Sequence, residues 1–312
     1  MNSDKKYEVA VILINFNSSR HTINCIESIV ALTDKNLNYQ IVVTDNNSKT
    51  EDYLVIKKYC ENTNLKNLQL VRNKINTGFG AGNMMGINFA NAEYFAFVNN
   101  DSLFLNDCLS IILQTLKTNN KIGICGPQPY KEDRSMLTVI DHFASPSKEI
   151  FGRKILEKIN SKKYPNRKKE YTAPQKAQFV SGSFLFLKAQ DFYKVGGFDT
   201  NIFLYHEETD LCKRLQKINK YAYLIPEAKY IHYHGKSTPD SIDIKIELKI
   251  SLLYVIRKHN NYFSFRLVLS YLTVQYFFKS IFKPKYWQLF KVLLIGAPLS
   301  KSLKTRQKIS EF

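Results

Sequence analysis

Four short apolar runs separated by helical stretches constrain this chain more than any other feature, because three of the runs stop in clusters of Asn and Asp. Val9 to Ile14 (VAVILI) has the length and composition of a strand buried on both faces. It ends in Asn15-Phe16-Asn17-Ser18, a turn and helix-capping cluster, and a helix is expected from about Arg20 to Leu32. Ile41 to Val43 is a second buried strand, broken by Asp45-Asn46-Asn47-Ser48 and followed by a helix over roughly Glu51 to Cys60. Leu68 to Val71 reads as a third strand and Gly82 to Ala92 as a third helix. Tyr94 to Val98 (YFAFV) is a fourth strand, stopped by Asn99-Asn100-Asp101. Strands alternating with helices predict an α/β domain on a mostly parallel sheet with right-handed crossovers. Ligands bind such sheets beyond the carboxyl ends of the strands. Asn15/Asn17, Asp45 and Asn99/Asn100/Asp101 are therefore expected on one rim, as a site.

The rest of the chain is less regular. About Pro129 to Pro174 is basic, loop-rich and weakly periodic, and reads as a variable excursion that can cover one side of a site. From Gln178 a strand (FVSGSFLFL) leads to Asp191, then to Val195-Gly196-Gly197-Phe198-Asp199 and an acidic helix start at Glu207. From Ile246 onward the pattern is helical, aromatic and basic.

The net charge of +18 is unevenly spread over the 312 residues. One basic block runs from Arg153 to Lys176, and a second, from Arg257 to Lys308, contains no acidic residue at all. Such an excess points to nucleic acid, an anionic membrane surface or a phosphorylated substrate. No RNA-binding aromatic signature, zinc-finger spacing or homeodomain-like helix accompanies either block, so a membrane surface is favoured and nucleic acid is not expected. Five cysteines without CxxC spacing argue for a reducing compartment and against a disulfide framework or structural zinc. The polar Met1–Glu8 segment is not a signal peptide. Leu267 to Phe278, bounded by Arg266 and Lys279, falls short of the ~20 residues a membrane-crossing helix needs. The expected location is cytoplasmic, with the chain lying on the inner face of the cell membrane.

Several segments carry candidate chemistry. A carboxylate at Asp101, just past a buried strand, can hold Mg²⁺ or Mn²⁺ against a diphosphate, or simply close an Asx turn. Asp45 can accept hydrogen bonds from a nucleobase or ribose, or likewise form a turn. Gly78-Phe79-Gly80-Ala81-Gly82-Asn83 opens a helix where glycines let a phosphate approach, but Asn83 stands where the dinucleotide fingerprint needs its third glycine. Glu207, Glu208 and Asp210 fall within four positions. Adjacent like charges raise a carboxyl pKa, which suits a general base, while an acidic first helical turn also favours the helix dipole. His232 and His234 follow an apolar strand, and either imidazole can complete a metal site begun by Asp101 or remain a surface residue.

Taken in order, VILINFN (Val11–Asn17), VVTDNNS (Val42–Ser48), NTGFGAGNMMGI (Asn76–Ile87), FVNND (Phe97–Asp101), GGFD (Gly196–Asp199), EETDLCKR (Glu207–Arg214) and HYHGKS (His232–Ser237) resemble the family-two glycosyltransferases of the GT-A fold, particularly the rhamnosyltransferase-like bacterial branch. The resemblance spans about Val9 to Ser237. It implies a mixed, mostly parallel central sheet flanked by helices, with a C-terminal helical appendage. Phe16, Asp45 and Asn83 match nucleotide-contacting positions, with Asn17, Gly78, Asn99 and Asn100 grouped beside them as nucleotide-sugar-binding. Asp101 matches the last, metal-binding residue of the DxD motif, and Asn99 stands where that motif has its first Asp. Glu208 matches the catalytic base, where Asp is more usual; Glu207 is its neighbour, and Asp210 orients the helix. His232 matches the late metal-ligand histidine, with His234 in an adjacent register.

The resemblance implies a catalytic domain over residues 1–240. Its nucleotide-sugar half lies at about 8–101 and its acceptor half at about 102–240, followed by a basic amphipathic helical region at 241–312. The expected reaction is inverting transfer from a UDP- or dTDP-sugar, with rhamnose a candidate, to a bacterial surface glycan on a lipid carrier, aided by Mn²⁺ or Mg²⁺. The C-terminal helices can lie in a bilayer interface, or pack on the catalytic domain or on a second copy in a homo-oligomer. Two rivals are a nucleotidyltransferase, whose basic glycine-rich phosphate loop LINFNSSR does not supply, and a non-catalytic nucleotide-sugar-binding protein, which Glu207 and Glu208 argue against.

Overall fold

The computed structural model describes residues 6–233 and 241–309. The first half builds four parallel strands. These are β1 (Tyr7–Asn15), β2 (Tyr39–Asp45), β3 (Leu68–Arg72) and β4 (Ala92–Asn99), linked by α1 (Ser19–Leu32), α2 (Thr50–Asn62) and α3 (Gly78–Ile87). Within β1, Val9, Val11 and Leu13 face one core with Cys25, Ile26 and Ile29. Ala10 and Ile12 face the other, with Ile87, Phe95 and Phe97. Burial on both faces is why this strand is apolar without alternation.

Helix α3 begins four residues earlier than the sequence pattern predicts, and its glycines are the reason. A Cβ on Gly86 would lie 2.6 Å from Cγ2 of Ile12, so the helix sits closer to the sheet than any other residue type permits.

The second half converts the parallel sheet into a mixed one. Its elements are β5 (Ser102–Phe104), α4 (Cys108–Thr118), β6 (Ile122–Tyr130), β7 (Ile140–Asp141), α5 (Pro146–Phe151), α6 (Arg153–Ile159), β8 (Gln175–Ala177), β9 (Phe179–Val180), β10 (Phe184–Lys188), α7 (Ala189–Lys194), α8 (Glu207–Lys217) and β11 (Tyr221–His232). The strand order is β3-β2-β1-β4-β10-β6-β11-β5, with β8 on β11 and a separate β7–β9 pair. Strand β10 runs antiparallel to both β4 and β6. The single strand expected from Gln178 is two, β9 and β10, interrupted at Ser181–Ser183. The 129–174 excursion carries β7, α5 and α6.

The chain continues into α9 (Ile242–His259), α10 (Tyr262–Phe282) and α11 (Trp287–Leu294). Their inner faces form a separate core of Ile246, Ile250, Leu253, Val268, Leu272 and Leu289, joined by Ala144 from the excursion. Among the described residues no helix is long and apolar enough to cross a membrane.

Candidate active site

Crossovers leave β1 toward β2 on one side and β4 on the other, which opens a crevice at the carboxyl ends of the central strands. Register aligns the polar row there: Asn15 pairs with Asp45, Asp45 with Arg72, and Ile14 with Asn99. Asn15 Nδ2 donates to Oδ1 of Asp45 at 2.9 Å and to Asp52 Oδ2 at 2.9 Å, and its Oδ1 accepts from Thr22 at 2.7 Å. Asp45 is fully buried, with Arg72 Nε 3.3 Å from its Oδ2; the Arg72 guanidinium stacks 3.9 Å over the Tyr53 ring. Asn17 adopts a left-handed φ of 53° and accepts from Lys49 N at 2.8 Å, leaving Phe16 exposed at the mouth.

The other residues grouped with the nucleotide are held by the protein itself. Asn83 is buried and donates to Phe79 O at 3.0 Å, while Asn100 is buried and donates to Ser18 and Thr22 hydroxyls at 2.7 and 2.8 Å. Gly78 has φ +80°, and a Cβ there would lie 2.1 Å from Phe203 O, so the 78–79 turn is docked on the loop before α8. Asn46, which the sequence pattern did not single out, ties this turn down. Its Nδ2 donates to Asn76 Oδ1 and Gly78 O at 3.0 Å each, and its Oδ1 accepts from Asn73 at 2.9 Å.

Asp101 lies just past β4, almost completely buried, and neither of its carboxylate oxygens has a well-aligned hydrogen-bond donor. Nε2 of His232, at the end of β11, is 3.2 Å from Oδ1, and Asn99 Nδ2 lies 3.4 Å from the same Nε2. Burial alone raises the Asp101 pKa, but the His232 contact and charge outweigh it and hold the carboxyl below its usual range. A buried carboxylate with both oxygens unmatched, beside an imidazole, is a donor set that fits a hard divalent cation. Among the described residues no group of three or more His, Cys, Asp or Glu that could hold a metal converges, here or elsewhere, so ligands from a bound diphosphate would have to complete such a shell. His234 lies outside the described residues.

Helix α8 enters the site through a strained turn. Tyr205 and His206 take consecutive positive φ values of 73° and 69°, which cost side-chain-bearing residues energy and occur where function holds them. Burial, reinforced by the ammonium groups of Lys148 and Lys249, pushes the His206 imidazole down to about 3. Glu208 lies in the first turn of α8, and its Oε2 borders the space above Gly182, next to the Phe79 ring. Burial pushes its carboxyl up to about 7, against the opposing pull of its own backbone N–H and of Lys148. Glu207 is more deeply buried, with Oε1 lacking a hydrogen-bond partner. Burial and the neighbouring Glu208 push its carboxyl well above the usual range.

Asp210 points elsewhere. It is fully buried, ion-paired with Arg214 at 2.6 Å and Lys258 at 2.7 Å and hydrogen-bonded to His259 at 2.6 Å, fastening α8 to α9. The site thus brings Asp101 and His232 together at one side and Glu207 and Glu208 at another, with Asp210 anchoring behind. Sequence reasoning missed Lys148, because its only local signal is one more lysine in a basic stretch.

This mixed sheet, with its polar rim and flanking helices, is the GT-A fold of nucleotide-sugar-dependent glycosyltransferases. It matches, at a TM-score of 0.56 and 13% identity, a mannosyltransferase from Pyrobaculum calidifontis solved with GDP-Man and Mn²⁺, over 96% of this chain and 88% of that one. The family model "Glycosyl transferase family 2" matches residues 10–196, and the chain belongs to that family of enzymes. Rhamnosyltransferase WbbL of Escherichia coli K12 is 25% identical over 229 residues, which are 70% of this chain and 83% of the relative. The N-acetylglucosaminyl-diphospho-decaprenol L-rhamnosyltransferase of Mycobacterium tuberculosis is 38% identical over 60 residues, 19% of this chain and only 20% of that protein.

Proposed function

We propose that this glycosyltransferase inverts the anomeric centre as it moves a sugar from a UDP- or dTDP-sugar, rhamnose foremost, to a bacterial surface glycan carried on a lipid diphosphate. The observation that carries this reading is Glu208, a carboxyl raised to about 7 in the first turn of α8. A base with that pKa is about half ionised at neutral pH and strong enough to take a hydroxyl proton. In one in-line displacement Glu208 removes the acceptor hydroxyl proton, and the oxygen attacks the anomeric carbon from the face opposite the leaving diphosphate. Phe16, Asn17, Asp45, Gly78, Asn83, Asn99 and Asn100 shape the donor side within residues 8–101, and residues 102–240 serve the acceptor. Asp101 and His232 would hold Mn²⁺ or Mg²⁺, with His234 the alternative imidazole. The ion, when bound, offsets charge on the leaving diphosphate. The names of the two rhamnosyltransferase relatives support the sugar and the lipid-diphosphate acceptor.

The exposed aromatic face of α10, flanked by Arg266, Lys279 and Lys283, supports placement on the inner surface of the cell membrane over a homo-oligomeric role. The test is a screen of purified protein against UDP- and dTDP-sugars with Mn²⁺, reading diphosphate release and, by NMR, the anomeric configuration of the product. Retention of configuration, or full turnover by Glu208→Gln, overturns the reading.

A further inference from the structure

The segment that follows α11 turns back onto both sides of the site. Residues 299–309 hold two short 3₁₀ turns, Leu299–Lys301 and Leu303–Arg306, and Leu299 packs on the core of α9, α10 and α11. Glu247, almost completely buried on α9, accepts from the Ser302 hydroxyl at 2.9 Å through Oε1 and from Leu303 N at 2.7 Å through Oε2. Beyond burial and Glu208, the charge of Glu247 adds to the rise of the Glu207 carboxyl, so this anchor lies within electrostatic reach of the catalytic acids. Lys304 Nζ donates to Thr200 O at 2.6 Å, in the loop whose Phe203 O receives Phe79 N. Arg306 Nη1 lies 3.0 Å from Oδ1 of Asp243, in the first turn of α9.

At its far end the segment reaches the donor rim, where Asn47 Nδ2 donates to Lys308 O at 3.2 Å. Among the described residues this is the one hydrogen bond of the Asn47 side chain, and its Oδ1 is buried without a donor. Asn47 takes a left-handed φ of 66° between two residues that organise the donor side. Asn46 holds the Gly78 turn, and Ser48 Oγ accepts from Asn17 N at 2.9 Å, beside Phe16. One ordered segment thus ties the rim loop 45–49 to the loop before α8 and to α9.

We propose that residues 299–309 form a strap that positions loop 45–49 for the nucleoside diphosphate of the donor, with Ser302, Lys304 and Arg306 fastening it and the Lys308 carbonyl holding Asn47. A loop already held in place has less conformational entropy to lose when a ligand orders it, so the strap contributes affinity without touching the ligand. This rests on the nucleotide-sugar donor argued above. The coupling must be reciprocal: whatever the strap adds to nucleotide affinity, bound nucleotide returns to the fastening of the strap.

The probes are UDP and dTDP, titrated calorimetrically into the full chain with Mn²⁺ present. Ser302→Ala/Lys304→Gln/Arg306→Gln should bind them at least about fivefold more weakly than the unaltered protein. Lys304→Gln/Arg306→Gln changes only exposed side chains and keeps the Glu247 anchor, so it guards against misfolding and should weaken binding in the same direction. Hydrogen exchange supplies a readout that a merely structural role would not move. Nucleotide bound to the unaltered protein should slow exchange at residues 303–308, and the triple variant should exchange faster at residues 46–48. Equal affinities, or exchange at 303–308 that ignores the nucleotide, overturn the proposal. So does tighter binding by the variants, which would make the segment a plug over the rim. Should the unaltered protein bind neither nucleotide, the donor reading falls and the strap with it, whereas normal binding matched by both variants sinks the strap alone.

Discussion

Nε2 of His259 lies 2.6 Å from Oδ1 of Asp210, a hydrogen-bond contact buried at both ends that joins the last turn of α9 to the first turns of α8. Lys258 and Arg214 complete the cage around the same carboxylate, and burial is outweighed so that its pKa falls far below the carboxylate range. Removing one member of a buried charge group strands the others, at a cost of about 3 kcal/mol or more. Asp210→Asn should therefore lower the urea midpoint of unfolding markedly. The folded pKa is depressed, so the contribution is fully present above the unfolded value of about 3.9 and is lost as pH falls through the folded one. The difference between the native and Asn proteins should shrink steadily as unfolding is repeated at lower pH. An undiminished difference would remove Asp210 as the anchor.

Glu208 sets the acid limb of the rate. Its carboxyl sits near 7, so kcat/KM should rise with pH and level off above an apparent pKa of about 7. Glu208→Gln should abolish that limb and lower kcat by roughly 10²–10⁴, the usual worth of a general base. Stability should move the opposite way. A carboxyl whose folded pKa exceeds its unfolded value of about 4.3 weakens the fold progressively as pH climbs from there to 7. The Gln protein should thus gain melting temperature relative to the native one at pH 8, and much less at pH 4.

The fold was legible where periodicity is strongest. The unbroken apolar run at Val9–Ile14 has the length of a strand covered on both faces and is one, and the Asn/Asp clusters after these strands fell on one rim as the crossover rule requires. What could not be read was the reason for each polar residue. Asn100 matches a motif, yet its amide is spent on Ser18 and Thr22. Asn46, three residues from the nearest hydrophobic strand position, organises the Gly78 turn through contacts up to 32 positions away. Such pairings depend on register and helix docking, which local pattern does not encode. The antiparallel insertion of β10 was hidden for the same reason, because an apolar strand reads alike in either direction.

Asp101 offers a direct test of the cation-binding reading. Its two oxygens are buried without aligned donors, so Asp101→Asn removes the charge and exchanges one of them for an amide nitrogen that cannot ligate a hard cation. Mn²⁺ binding in the presence of nucleoside diphosphate, followed by electron paramagnetic resonance, should weaken at least tenfold. Chelation should depress turnover of the native enzyme and change the Asn protein little. Unaltered Mn²⁺ affinity would count against Asp101 as a ligand.

Gly78 should resist substitution even by alanine. Its φ of +80° costs an L residue roughly 1–2 kcal/mol, and the added Cβ would lie 2.1 Å from Phe203 O. Relief requires the loop before α8 to move, which lengthens the 2.9 Å bond from Phe79 N to Phe203 O. Gly78→Ala should lower the melting temperature by several degrees and reduce kcat together with it, since the same loop leads into Glu208. Gly196→Ala is the matched control: it has a similar φ of +83° but nothing within 4 Å, so it should cost stability without the loss of rate.

The outward face of α10 separates membrane binding from self-association. Phe263, Val274, Phe278 and Phe282 are 73, 57, 57 and 83% exposed, while Val268, Leu269 and Leu272 on the opposite side are buried against α9 and α11. Arg266, Lys279 and Lys283 flank the exposed stripe. Fully burying one Phe is worth about 1.5–3 kcal/mol, and each Lys or Arg near an anionic surface adds about 1 kcal/mol. Phe278→Ser/Phe282→Ser should therefore cut sedimentation with phosphatidylglycerol vesicles at least tenfold. Raising salt should weaken binding of the native protein further, because the lysine share of the attraction is screened. A face that instead docks a second copy predicts the reverse pattern: no vesicle binding, a concentration-dependent dimer, and its loss in the Ser protein. The two stripes of α10 thus answer different questions, the buried one holding the helix to the enzyme and the exposed one deciding what the enzyme rests on.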